Sequence, residues 1–130
     1  MNNFDQTEIE ATIAQVLRDA GVSKNVYYNR PRSSTSDLTD FVVCKVSGGI
    51  DDRFAFGQCT VSINLFARNI KNMKNSKKLS VMQGKVLAAV PRSIENIITD
   101  GTPRIIGDTD DGNGYHARII NYKVTIKATQ

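Results

Sequence analysis

Between positions 58 and 68 the chain alternates with a period of two. Cys59, Val61, Ile63, Leu65 and Ala67 are apolar, and Gln58, Thr60, Ser62, Asn64 and Arg68 between them are polar. Successive side chains of a strand point to opposite faces, so this segment reads as a strand with one face buried. That face needs an apolar layer over it. Phe66 breaks the polar side and is a candidate contact residue.

The cover comes from two helices. Thr7 and Glu10 have capping-box spacing, in which the two side chains satisfy free amides at a helix start. Ile9, Ile13, Val16, Leu17 and Ala20 then form one apolar stripe. Gly21 can take the left-handed conformation that ends a helix, with Val22 folding back as an apolar lid. A second helix is predicted from about Ser76 to about Val90, burying Leu79, Met82, Val86 and Val90, with Pro91 marking its exit.

Further strands fill the remaining chain. Val26, Tyr27 and Tyr28 read as a short one ended by NRPR at 29–32, and 33–40 is a polar loop. The run 41–47 is a second strand, closed by a turn at Gly48 and Gly49; Phe54 and Phe56 either continue the sheet or sit at a hairpin tip. Ile94, Ile97 and Ile98 need burial, although their local pattern is ambiguous. A short strand is predicted at 104–107, a turn at DTDDGNG (108–114) and a long last strand at 115–128. On that last strand Ile120, Tyr122, Val124, Ile126 and Ala128 share a face. The order is α-β-β-β-α-(β)-β, an α+β domain of two helices on one mostly antiparallel sheet.

Length and composition agree with this. One domain of 130 residues buries a real core, and 40% hydrophobic with 23% charged residues is ordinary for a folded protein. The opening MNNFDQTEIE is polar and acidic, so no signal peptide is expected, and no apolar run approaches membrane-spanning length. Synthesis in a cytoplasm follows. Cys44 and Cys59 both lie in strand-like stretches; they read as buried thiols, with pairing left open.

Catalytic chemistry finds little support. His116 has no evident ligand set, and a thiol site joining it to Cys44 or Cys59 competes with simple core packing of both cysteines. Two Cys and one His lack the paired spacing of a zinc site. Asp108, Asp110 and Asp111 invite a calcium reading, but an EF-hand loop begun at Asp108 places Asn113 where Gly is needed and has no closing Glu. The better reading is a turn whose carboxylates cap backbone amides. No enzyme, metal or cofactor is expected.

Charge is the stronger signal. Positions 53–94 hold eight basic residues and no acidic one, whereas the rest holds nine basic and thirteen acidic, within a net charge of +4. Arg68, Lys71, Lys74, Lys77, Lys78 and Lys85 are the candidate set, and part of it is ordinary solvation of a helix face. Lysines of this kind suit phosphate or a neighbour's carboxylates. Asp51, Asp52, Asp108, Asp110 and Asp111 offer such carboxylates on a second copy, and contact between unlike faces can close into a ring.

The element order, with VYYNRP at 26–31, DFVVCKVSG at 40–48, TVSINLFARN at 60–69, KLSVMQGKVLAAV at 78–90 and YHARIINYKVTI at 115–126, resembles the bacteriophage tail-completion or tail-terminator (head-tail joining) family. The resemblance covers most of the chain through patterned elements without a sharp motif. It implies a homo-oligomeric ring, commonly sixfold, that caps the head-proximal end of the tail tube. Its partners would be the tail-tube protein and the neck or connector protein, with possible contact to transiting DNA. The implied location is the virion, after synthesis in a bacterial host's cytoplasm, and no catalytic residues carry over. Loops at 33–40, 48–57 and 69–78 would supply the contacts. Head-closure, connector and tube proteins share this small architecture and stay open as roles. So does a small nucleic-acid-binding protein using the 68–85 surface, although only Phe66 is close enough to stack on bases.

Overall fold

The computed structural model describes residues 6–28, 38–47, 56–90, 93–94, 97–99 and 102–127. Two helices, α1 (Gln6–Asp19) and α2 (Ser76–Ala89), are joined by seven strands: β1 (Val26–Tyr27), β2 (Asp40–Ser47), β3 (Phe56–Arg68), β4 (Ser93–Ile94), β5 (Ile97–Thr99), β6 (Arg104–Asp110) and β7 (Tyr115–Lys127). The predicted fold class is the observed one. The single strand expected between α2 and the last strand is instead three, β4, β5 and β6.

The strands form one sheet in the order β1-β2-β3-β7-β5-β4, with β6 also on β7. The β1–β2 pair is parallel and all others are antiparallel. β3 lies along the whole of β7, from Phe56 opposite Lys127 to Arg68 opposite Tyr115. The other edge of β7 is shared, β6 pairing near its start and β5 near its end.

Both helices lie on one face. Ile9, Ile13, Ala14 and Leu17 of α1 and Leu79, Met82 and Val86 of α2 pack with Val42, Cys44, Val61, Ile63, Leu65, Ile120, Tyr122 and Val124 in one buried cluster. The alternation at 58–68 therefore marks the helix-covered face as anticipated. The stripe differs at three positions: Ala14 is buried, Val16 is only half-buried, and Ala20, just past the end of α1, is exposed.

The helix ends show why these segments stop where they do. Gly21 has φ 72°, Gly21 N–H donates to Arg18 O at 3.0 Å and Val22 N–H to Leu17 O at 3.2 Å, a Schellman ending with Val22 buried. At α2, Asn75 Oδ1 accepts from Lys78 N–H at 3.2 Å, filling the N-cap role. Thr7 lies inside α1 and not at the N-cap position that a capping box gives it. The helix already includes Gln6, and Glu10 Oε2 accepts from Val46 N–H at 2.9 Å on β2. β1 is too short to reach that amide, so a helix carboxylate satisfies it instead.

A second, smaller cluster lies on the opposite face at one end of the sheet. Phe66 stacks on Phe41 at 4.4 Å between ring centroids, and Tyr115 meets Phe41 edge-on at 5.3 Å. The Tyr115 hydroxyl donates to Leu38 O.

Candidate functional site

Folding pairs two of the six candidate cations with carboxylates and engages two more in neutral contacts. Lys74 Nζ lies 3.3 Å from Asp108 Oδ2, Lys78 Nζ lies 3.3 Å from Asp40 Oδ2, and Lys85 Nζ donates to Gly21 O at 3.2 Å. The Arg68 guanidinium carbon sits 5.8 Å from the Tyr115 ring centroid. Lys71 and Lys77 are exposed and make no ion pair among the described residues.

Asp108 is the centre of one polar network. Arg118 grips it in a fork, with Nε at 2.6 Å from Oδ1 and Nη2 at 2.9 Å from Oδ2. The remaining guanidinium nitrogen, Nη1, donates to Gln83 Oε1 at 2.9 Å and Ser80 Oγ at 3.2 Å on α2. The Arg118 hydrogen bonds hold the Asp108 carboxyl below its ordinary pKa against the opposing effect of burial, with Lys74 assisting, and Asp108 in turn raises Arg118. The carboxylate thus lies within the subunit, its side chain only 5% exposed.

Asp40 anchors a second network. Its carboxylate accepts from Ser23 Oγ, from Thr39 Oγ1 at 3.4 Å and from Lys78. Its backbone carbonyl accepts from Asn25 Nδ2 at 3.2 Å. The α1–β1 connection, the start of β2 and the first turn of α2 are tied together at this point.

The other candidate chemistries resolve similarly. Cys44 opposes Ile63 and Cys59 opposes Val124, so four residues of β3 separate Cys59 from the Cys44 rung. At the rise of a strand that is roughly 13 Å, beyond the reach of a disulfide. Burial raises the Cys44 thiol to about 12 and the Cys59 thiol to about 11, which suppresses the nucleophilic thiolate. His116 Nδ1 sits 2.7 Å from Asn69 Oδ1 and opposes Ala67, far along the sheet from either cysteine. Asp110 Oδ1 accepts from Gly112 N–H at 2.9 Å, and Asp111 Oδ1 from the amides of Asn113 and Tyr115 at 2.7 and 3.1 Å. These are the predicted amide caps, although Asp108 and Asp110 belong to β6, not to the turn. No cluster of three metal-ligating side chains occurs among the described residues. Asp51 and Asp52 lie outside the described residues, as do the loop positions 33–37 and 48–55.

Two features were not anticipated. Between β3 and α2, residues 70–73 form a tight turn closed by Ile70 N–H to Met73 O at 2.9 Å and Met73 N–H to Ile70 O at 3.0 Å. Lys71 and Asn72 at its tip have φ 51° and 64°, and Ile70 and Met73 are 57% and 72% exposed. The turn is an apolar knuckle. The second feature is the sheet face turned away from the helices, where register collects Lys45, Arg104 and Lys123. These three sit on separate strands far apart in sequence, so they form no charge run. Strand parity was the signal that could have found them.

Comparison with known proteins gives fold without family. No protein-family model matches the chain, and no curated protein matches it. The fold is similar to a chain of the solved structure "Virion of native gene transfer agent (GTA) particle", with a TM-score of 0.62 at 11% identity, over 96% of this chain and 99% of that one. The two chains share an α+β architecture essentially end to end.

Proposed function

We propose that this chain is a structural virion protein of a phage-like tail, forming a ring at the tail's head-proximal end that stops tube polymerisation and joins the tail to the neck. The observation that carries the reading is the end-to-end fold likeness to a chain of a gene transfer agent virion. The committed carboxylates, buried thiols and amide-bound histidine agree with a role in assembly, not catalysis. One ring face would match the last tube ring; the other would reject further tube subunits and accept the neck or connector protein.

The exposed knuckle supports contacts of this kind. Ile70 and Met73 give an apolar anchor on a backbone fixed by two hydrogen bonds, with exposed Lys71 at the tip of the turn able to meet a partner's carboxylates. A sixfold homo-oligomer is the favoured ring order. The location that follows is the virion, after synthesis in the bacterial host's cytoplasm. Negative-stain imaging of the protein mixed with purified tail tubes, together with its solution mass, tests the reading. A discrete ring at one tube end is expected. Bare tube ends and a monomeric mass would refute it and favour a head-closure, connector or tube role.

A further inference from the structure

We infer that the uncovered face of the sheet, and not the lysines of α2, is the surface on which this protein meets the phosphate backbone of duplex DNA. Register aligns the cations. Lys45 opposes Ser62, Ser62 opposes Asn121, and Asn121 opposes Arg104, so one rung crosses four strands with a cation at each end. Three strand spacings put the two cationic Cα atoms about 14 Å apart. In the next rung Ser47 opposes Thr60 and Thr60 opposes Lys123, adding a third cation on the same face.

The carboxylates of the described strands are confined to the helix side. Asp40 opposes Ala67 and Asp110 opposes His116, both on the helix side, and Asp108 is gripped by Arg118, which opposes Leu65 there. No carboxylate of the described strands lies on the uncovered face. That face carries Lys45, Arg104 and Lys123, all exposed, and Arg68 at its aromatic end. Among the cations stand Thr60 and Asn121, and Asn64 and Thr125 flank them on the neighbouring rungs, hydroxyls and amides that can donate to phosphate oxygens. Ser62 Oγ donates to Asn121 Oδ1 at 2.6 Å, which orders the middle of the rung.

The α2 surface is poorer in free charge. Lys74 and Lys78 are paired with Asp108 and Asp40, and Lys85 is held by a carbonyl. The aromatic rings of the uncovered face are stacked on one another at one end, Phe41 and Tyr115 buried, so bases of a single strand find no platform in its centre. Duplex backbone fits, held without sequence reading. In a ring with this face inward, it would line the path of passing DNA. That orientation rests on the proposed tail role; the binding itself does not.

The test uses the full chain and a fluorescein-labelled mixed-sequence duplex, read by anisotropy across a salt series. Three phosphate contacts predict a log–log salt slope of about −2.7. K45Q/R104Q/K123Q should bind at least ~tenfold more weakly with a nearly flat slope, each cation contributing about 0.9. Its melting temperature should match the unaltered protein, since all three side chains are exposed. K71Q/K77Q should keep most of the affinity. The inference is overturned if the unaltered protein fails to bind at low salt, or if K71Q/K77Q is the variant that loses binding. It is equally overturned if the sheet-face variant changes solution mass while DNA affinity holds, because a second copy would then occupy the face. Imaging the same variants with tail tubes separates the two readings: a variant that caps tubes but loses DNA leaves both standing. An unaltered protein that binds DNA through this face yet leaves tubes bare removes only the tail role.

Discussion

At the scale of single residues, the arrangement with the largest consequence is Arg118 on Asp108. Replacing Arg118 by Met keeps an unbranched apolar stem but leaves a nearly buried carboxylate without its fork, with only Lys74 near it. The expected cost is about 2–3 kcal/mol of unfolding free energy, short of a fully buried pair because Lys74 and solvent compensate in part. A shift of the urea midpoint at unchanged slope would measure it. The pH dependence has a definite sign. Asp108 is held below its ordinary value in the fold, chiefly by the Arg118 hydrogen bonds. Its contribution is therefore complete above the unfolded carboxyl value of about 3.9 and is lost as pH falls through the lower folded value. Asp108→Asn should flatten that acid limb while leaving the profile near neutrality parallel to that of the unaltered protein. Equal acid limbs in both proteins would show that Asp108 is not the linked group. None of this was legible beforehand. Asp108 stood in an Asp- and Gly-rich run typical of turns, and its partner is ten positions on, brought alongside only by the β6–β7 pairing.

At the scale of elements, the clear signals were those settled locally. The 58–68 alternation and the stripes of both helices depend on which side is buried, and burial leaves a period in the sequence. The end of α1 was legible because Gly21 meets a backbone demand that few residues can meet. Gly21→Ala should cost about 1 kcal/mol, because φ 72° strains any side chain although nothing crowds the Cβ. Gly84→Ala has the opposite sign. It lies within α2, with no atom within 4 Å of an added Cβ, and should stabilise by about 1 kcal/mol. Thermal melts of the two variants should move in opposite directions; a loss of stability from both would mean that the outer face of α2 is already packed. The elements that escaped reading were β4 and β5, two and three residues long, which are too short to carry a period. β6 was read too short for another reason. Its last residues are turn formers, and pairing with the long β7 across a bulge overrides their preference.

At the scale of the whole molecule, the distribution of free and satisfied surface decides where the proposed assembly contacts can lie. One side of the sheet is closed by α1: Glu10 takes the Val46 amide, and Arg18 Nη2 donates to Val26 O at 2.8 Å. The opposite side ends in β6 beside the start of β7 and in β4 beyond β5; Ile105 and Ile106 of β6 stay substantially exposed, and the 70–73 knuckle projects between β3 and α2. The total charge of the chain was readable at once, but where the free charge lies depends on strand register, so the basic run overstated the α2 surface and hid the sheet face. The knuckle offers the sharpest test of the proposed tail role. Ile70→Ser with Met73→Ser removes apolar surface that the isolated subunit does not bury, so stability should stay within about 0.5 kcal/mol. If the knuckle is an anchor for the tube or neck, the same variant should fail to cap tube ends even at protein concentrations that saturate them with the unaltered chain. Because DNA contact is assigned to the other face, its duplex affinity and salt slope should not change. Full capping by a variant lacking both side chains would move the contact elsewhere, with the exposed β6 edge the next surface to alter.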